Sequence, residues 1–318
     1  MEAVRDVDDI IFVYVGGDQR VPDGVRRARI HKSVKIVPRR AFYQRRQLIS
    51  VEFHDGVEII EEEAFYGCWY LKGPIKLLGV RIIKKDAFYS CHRLMDVEFG
   101  DQLEAIEQCT FQRCRSLKTI RMPSVTTIGR IAFADCHELS DVEFGEELRT
   151  LQEGAFRNCP ELTRIALPLK GDVIGNFVFD ACPELETVDL VGGIHETVAS
   201  LHFESWRNEM NKRVNQVLPT NPTGRKTEAI QQWMESVFSC LDRYKAEHHN
   251  VLKEATTLLE LALWKANLDD NKGGEIEREG VRITRSETRS RKRARKEISV
   301  TSGADVVIKN VLPFLALK

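Results

Sequence analysis

The chain has 318 residues, 42% apolar and 30% charged, with a formal net charge of −1. That length suits one large or two ordinary domains, and the composition is that of a globular protein, not a fibrous or wholly disordered one. A near-zero charge excludes a global pull towards nucleic acid or anionic membrane, so any such attraction has to be local.

The N-terminus opens acidic, and its apolar run from Ile10 to Val15 is only six residues long, with no small-residue cleavage site after it. This pattern does not read as a secretory signal. No stretch approaches the ~20 apolar residues of a membrane-spanning helix. The expectation is an intracellular protein, cytoplasmic or nuclear and not secreted. Its eight cysteines should then be thiols rather than disulfides.

Residues 1–40 read as an N-terminal cap with a half repeat. Val25, Ala28, Ile30, Val34 and Val37 keep the apolar register of the units that follow, but the aromatic and the thiol of those units are missing. Ile11 to Val15 is a possible extra strand that would shield the first sheet edge.

From 41 to 195 a phenylalanine returns at Phe42, Phe65, Phe88, Phe111, Phe133, Phe156 and Phe179, at intervals of 23, 23, 23, 22, 23 and 23. Such a register means stacked repeats. Alanine precedes the phenylalanine at five sites, with Thr110 and Val178 at the others. Three residues on come Cys68, Cys91, Cys114, Cys136, Cys159 and Cys182; six on comes a leucine in every unit, Leu48 to Leu185. An alternating apolar pair follows, as in Val97/Phe99 and Val142/Phe144. In the second full unit Pro74 takes the first of those positions and displaces Ile75/Leu77 by one. Alternation puts the paired residues on one side of a short strand. Stacking neighbours then forms a parallel sheet over a continuous core. The Ala-Phe-x-x-Cys segment is the return path, expected to be a short helical turn with the ring inward.

The pattern AFxxCxxLxxVxF resembles the BspA-type leucine-rich repeat, a 23-residue class, over roughly residues 25–195. It lacks the Asn or Cys that follows the strand in the commoner leucine-rich pattern. The resemblance implies an α/β solenoid: a leucine-rich repeat array of about seven 23-residue units with a parallel sheet and a C-terminal α-helical cap. Several bacterial members of the class are secreted surface proteins. Their adhesive role is not expected here, because the chain shows no signal for export. The segments ESWRNEM, AIQQW, LLELALWKANL and GADVVIKNVLPFL look like the C-terminal region of uncharacterised diatom leucine-rich repeat proteins, which carry no activity to transfer.

The sequence carries no recognisable catalytic or metal-binding constellation. The six repeat-position cysteines read as a buried column of small side chains, since free cysteine is among the most buried residue types. Rungs about 4.8 Å apart would suit a disulfide's span, but parallel Cβ vectors oppose its dihedral. The Cys91-His92 and Cys136-His137 dipeptides lie two units apart, about 10 Å along the stack, too far to converge on zinc. There is no HExxH, CxxC, phosphate loop, GxSxG or EF-hand loop. No catalytic, cofactor or metal residue is assigned, and the chain is read as not an enzyme.

The outward strand positions carry alternating charge: Glu52, Lys76, Glu98, Arg121, Glu143, Ala166 and Asp189. Asp96, Asp141 and Arg164 flank them. The alternation fits an in-register parallel ladder, where opposite charges help by a few tenths of a kcal/mol. The same face is the candidate surface for a protein partner.

Residues 196–268 change to a 3.6-residue period and read as an α-helical capping region. Ile230, Trp233, Met234, Val237, Phe238, Leu241 and Tyr244 form one apolar face, and Leu252 to Leu263 a second. His248 and His249 are taken as a polar break between two helices. Residues 269–302 turn polar and read as a charged, disordered linker. Within it Arg289, Arg291, Lys292, Arg293, Arg295 and Lys296 place six positive charges in eight residues, a candidate nuclear-localisation run. Direct nucleic-acid contact weighs less, because no aromatic residue interleaves with the basic ones. Residues 303–318 read as a short C-terminal amphipathic helix with Asp305 as its N-cap.

The function expected from these readings is a non-catalytic scaffold that presents a repeat surface to a protein partner. The alternative is a nuclear factor that uses the 289–296 run for import or nucleic-acid contact. No membrane partner is expected, and partner identity and oligomeric state stay open.

Overall fold

The computed structural model describes residues 11–192, 204–214 and 226–276. Strands β1 (Ile11–Tyr14) and β2 (Arg27–Ile30) open the chain. Short and longer strands then alternate: β3 (Ile36–Val37), β4 (Ser50–Glu52), β5 (Ile59–Ile60), β6 (Ile75–Leu77), β7 (Ile82–Ile83), β8 (Val97–Phe99) and β9 (Ala105–Ile106). The alternation goes on through β10 (Thr119–Met122), β11 (Thr127–Ile128), β12 (Asp141–Phe144) and β13 (Thr150–Leu151), and the last two strands, β14 (Arg164–Pro168) and β15 (Thr187–Val191), are both long. Two helices follow, α1 (Glu204–Val214) and α2 (Lys226–Ile276).

All strand pairs are parallel. The two-residue strands build one six-stranded sheet, β13-β11-β9-β7-β5-β3. The longer strands build the second wall in three pieces, β1-β2-β4, β6-β8 and β10-β12-β14-β15; the Asp96–Thr119 bridge ties β8 to β10. The ladder breaks between β4 and β6, where Pro74 supplies no N–H and the extra residue shifts the register. This is a parallel β-solenoid of about seven turns, as the phenylalanine spacing predicts.

The seven phenylalanines form one buried column. From Phe42 to Phe156 successive ring centroids lie 4.8–5.2 Å apart and nearly parallel, and Phe179 follows at 6.1 Å. Stacked pairs of this kind add about 0.5–1.5 kcal/mol each beyond the burial of their area. Tyr14 closes the N-terminal end, with its ring 5.2 Å from Phe42. The half repeat is therefore completed from β1, which pairs with β2.

The return segment differs from the helical turn expected of it. Residues two before and two after each phenylalanine sit in the left-handed region: Arg40 and Gln44, Asp86 and Ser90, Ile131 and Asp135, and their equivalents. That alternation breaks any helix and turns every second N–H along the stack. The N–H groups of Phe42, Phe65, Phe88, Phe111, Phe133 and Phe156 donate to the carbonyl one residue before the next phenylalanine, at 2.7–3.0 Å. The return path is thus a third hydrogen-bonded ladder.

The cysteine column completes it. Cys68, Cys91, Cys114, Cys136, Cys159 and Cys182 each donate Sγ–H to the carbonyl of the preceding unit's phenylalanine, at 3.1–3.4 Å. All eight cysteines are free and buried. Burial pushes the Cys68 thiol up to about 12 and holds Cys91, Cys136 and Cys159 well above the ordinary thiol value. Where threonine replaces alanine, the Thr110 hydroxyl donates to the Glu107 and Lys84 carbonyls at 2.7 and 3.1 Å.

The C-terminal edge of the stack is capped by the start of α2. Among the described residues no further unit follows Phe179, and its N–H donates instead to Thr227 Oγ1 at 2.8 Å. That hydroxyl donates on to Asp180 Oδ1 at 3.3 Å, and Gln231 Nε2 donates to the Ile174 carbonyl at 2.8 Å. Of the expected apolar face Ile230, Trp233, Met234, Val237 and Leu241 are buried, whereas Phe238 is exposed.

The chain divides into two compact units at Leu241; within the described residues the second is the remainder of α2. Here the expected two helices are one. The sequence from Lys226 to Lys272 holds no proline or glycine, so nothing forces a break at His248-His249. The helix also carries through residues 269–276, where the linker was expected to begin. The basic run, the rest of the linker and the 303–318 segment lie outside the described residues.

Two measurements test this architecture. Thr227→Val leaves the Phe179 N–H buried without an acceptor and is expected to cost about 1–3 kcal/mol in equilibrium unfolding. An unchanged midpoint would remove the capping role of that hydroxyl. In native alkylation at pH 8, Cys68, Cys91, Cys114, Cys136 and Cys159 should stay unmodified for as long as the fold holds, and label fully after denaturation. Rapid native labelling of any of them would show that the column is open to solvent.

Candidate functional site

The strand-face charges singled out by sequence lie on the outer side of the longer-stranded wall, and most of them are committed to one another. Lys76 pairs with Glu98 at 3.0 Å and Arg121 approaches Glu143 at 3.6 Å. Arg164 bridges Asp141 at 2.8 Å and Asp189 at 2.7 Å. Glu52 is held by Arg29 of the half repeat at 2.5 Å. Asp96 enters the backbone bridge to Thr119. Ala166, read as an outward position, is buried. The ladder joins these groups in register but leaves few of them unpaired.

The corner before the return path is laced in the same way. Lys35–Glu58, Arg81–Glu104 and Lys84–Glu61 pair across neighbouring units at 2.6–3.0 Å. Arg40 donates to Glu63 at 2.7 Å and holds its carboxyl below the usual carboxylate range.

One surface breaks this habit. On the return path of the first four full units a cavity of about 330 Å³ is lined by ten residues, none acidic. Its floor is made by the position two after the phenylalanine, where Gly67 and Ser90 are small while Gln44 and Arg113 flank them. Gly67 has φ +69°, and a Cβ there would make only ordinary contacts, with Gln44 Cγ at 3.5 Å and Trp69 Nε1 at 3.8 Å. One wall is a tyrosine ladder at the position one after the phenylalanine. Tyr66 stacks on Tyr43 at 5.2 Å and on Tyr89 at 4.8 Å. The other wall is the position four after it: Arg46, Trp69, His92 and Arg115.

Three guanidinium groups in or beside this cavity lie over aromatic rings. Arg46 lies 4.1 Å from the centroid of Trp69, Arg93 4.4 Å from Tyr70, and Arg113 5.8 Å from Tyr89. Among the described residues Arg46, Arg93 and Arg115 form no ion pair, and Arg113 only reaches Asp135 at 3.9 Å. His92 donates Nδ1–H to the Arg113 carbonyl at 3.1 Å. Burial, and then the charges of Arg115 and Arg113, depress its pKa and favour the neutral ring. Trp69 and Tyr70 stay 40% and 47% exposed.

The sequence reading followed the alanine, phenylalanine, cysteine, leucine and strand positions and passed over these two columns. The signal was available: Tyr43, Tyr66 and Tyr89 recur with the same period. A second, smaller cavity of about 140 Å³ lies between the loop at Leu169–Ile174 and the α2 residues Gln231, Met234, Glu235 and Phe238. Among the described residues no group of His, Cys, Asp and Glu is placed to hold a metal ion. No described helix is long and apolar enough to cross a membrane.

Comparison with known proteins agrees with the repeat geometry. The model of the BspA type leucine rich repeat region matches in six copies over residues 24–124 and 81–208. Among solved structures, a leucine-rich repeat protein of T. pallidum is 30% identical, with 61% of this chain and 88% of that one covered and a TM-score of 0.48. A leucine-rich cell surface protein of Faecalibacterium prausnitzii is 28% identical over 56% of this chain and 49% of that one, with a TM-score of 0.44. A leucine-rich repeat protein of Bacteroides ovatus is 24% identical over 58% and 47% of the two chains, with a TM-score of 0.45. Among curated proteins no relative matches. With its phenylalanine column, its cross-unit ladders and six matched copies of the repeat, the chain belongs to the BspA-type leucine-rich repeat family.

Proposed function

We propose that the protein is a non-catalytic scaffold that binds a protein partner, and that the aromatic and basic concavity around Trp69 is its docking surface. Repeat folds of this kind are in general protein-interaction scaffolds, because stacking generates extended surfaces. The observation that carries the choice of surface is the exposure of Trp69 and Tyr70 beside arginines that no carboxylate engages. Tryptophan, tyrosine and arginine dominate the energetics of protein interfaces. The strand face offers less free capacity, since its charges are largely spent on each other.

The test compares full-length protein with two double variants in affinity capture followed by measured affinity for the captured partner. Trp69→Ala with Arg115→Glu is expected to weaken the partner by at least ~2 kcal/mol. Glu98→Lys with Glu143→Lys should lower the melting temperature, since exposed pairs contribute about 0–1 kcal/mol each, yet keep the partner. The opposite outcome would move docking to the strand face and sink the present assignment.

A second reading concerns the run Arg289, Arg291, Lys292, Arg293, Arg295 and Lys296, which we propose to be an import signal. Its support is the density of positive charge in a segment of low apolar content. A fluorescent fusion of the full chain should lose nuclear accumulation when residues 289–296 are deleted; an unchanged distribution rejects the signal.

A further inference from the structure

We infer that the ligand of this concavity is an acidic peptide segment, extended along the stack, with carboxylates on either side of an apolar residue. The inference rests on the docking surface proposed above and names its chemistry.

Charge decides the class first. Elsewhere on the solenoid, many cations are matched by carboxylates on a neighbouring unit, as in Lys35–Glu58, Arg81–Glu104 and Arg130–Glu153. Inside the concavity the pattern stops: no acidic residue lines it. Arg46 and Arg115 have no carboxylate partner among the described residues and Arg113 has Asp135 only at 3.9 Å; guanidinium groups so placed repel one another and gain from a bound anion. Arg46 and Arg93 already sit over the rings of Trp69 and Tyr70, at 4.1 and 4.4 Å from the centroids. Their planar forks are thereby ordered before binding, and a guanidinium fork matches a carboxylate bidentately.

Geometry decides the form. Arg46 and Arg115 stand three units apart, about 15 Å at the spacing of neighbouring strands. An extended peptide advances about 3.3 Å per residue, so carboxylates four or five residues apart reach both ends. The cavity between them, lined by Gly67 and Ser90 among others, is the place for one apolar or aromatic side chain of the peptide.

Stacking ligands fit less well. A sugar ring or a nucleobase needs an open aromatic face, and here the faces are taken. Tyr66 is sandwiched between Tyr43 and Tyr89; Trp69 carries Arg46 on one side, with His92 at 6.1 Å. What remains free is ring edges and guanidinium N–H groups.

The experiment is fluorescence anisotropy on the full chain with a labelled peptide of alternating Glu and Tyr. Its Lys–Tyr counterpart, a sulfated polysaccharide and an oligothymidylate are run in parallel. The Glu–Tyr peptide is expected to bind, to weaken as salt is raised because exposed charges are screened, and to bind at least tenfold more weakly to Arg46→Gln/Arg115→Gln. Gly67→Gln should weaken it in the same way. It fills the cavity with the side chain that the neighbouring unit already holds in the same conformation at Gln44 (φ 55°), so it gives a second route should the arginine variant not fold. Equal binding of the Lys–Tyr peptide, preference for the polysaccharide or the oligonucleotide, or indifference to both variants would overturn the inference. Loss of the captured partner in Trp69→Ala/Arg115→Glu, together with no affinity for the Glu–Tyr peptide, would reject the acidic-peptide class and leave the docking surface standing. If neither binding nor capture depends on these residues, both readings fall.

Discussion

Each unit of this protein is held to the next by the phenylalanine N–H, which finds its only acceptor on the following turn. A buried N–H left without a partner costs about 1–3 kcal/mol, so a turn that slipped along the stack would lose a whole set of bonds. Two consequences follow for the sequence. The return path keeps its length in every unit, with left-handed residues always two before and two after the ring. Length changes fall elsewhere: the 22-residue interval loses its residue between β10 and β11, and the extra residue of the second unit lies at the start of β6. The thiol column obeys the same constraint, since its S–H reaches the carbonyl of the ring one turn back. Cysteine is small and apolar enough to be buried there, and it still supplies a donor.

Much of the fold was legible because one period governs it. The interval between phenylalanines gives the turn, the alternating pair gives the wall, and Leu48 to Leu185 give the inner corner. The residues that the period does not mark were harder to read. Tyr14 closes the column from a strand with no phenylalanine register of its own. The left-handed positions are filled mostly by arginine, glutamine, aspartate and even isoleucine, with glycine only at Gly67 and Gly154, so composition gives little hint of them; the cross-unit bonds hold them there. In α2 two apolar stretches flank a polar pair of histidines. Sequence alone separates them, whereas the backbone, lacking proline or glycine at that point, continues.

The candidate site was less legible for a different reason. The strand face was found because alternating charge is visible in a list of residues, yet alternation is also what allows charges to neutralise each other on neighbouring strands. The concavity depends on a non-event, the failure of acidic residues to appear opposite Arg46, Arg93 and Arg115. Only the placement of Arg46 over Trp69 and of Arg93 over Tyr70 shows where that charge remains available. Exposure alone would not have separated the two surfaces.

The position that forms the floor of the concavity has a broader meaning. Its backbone is held by a bond to the next unit, while its side chain changes from unit to unit and in places bonds to its own neighbour in the column, as Asn158 does to Asp135 at 2.7 Å. Gln44, Gly67, Ser90, Arg113, Asp135 and Asn158 all occupy it on the same trace. A stack of this kind behaves as a ruler with interchangeable markings. One substitution per unit sets the local depth and charge at a known distance from its neighbours, and the scaffold beneath is left unaltered. New binding surfaces on such a chain can arise one codon at a time, with little to repair elsewhere.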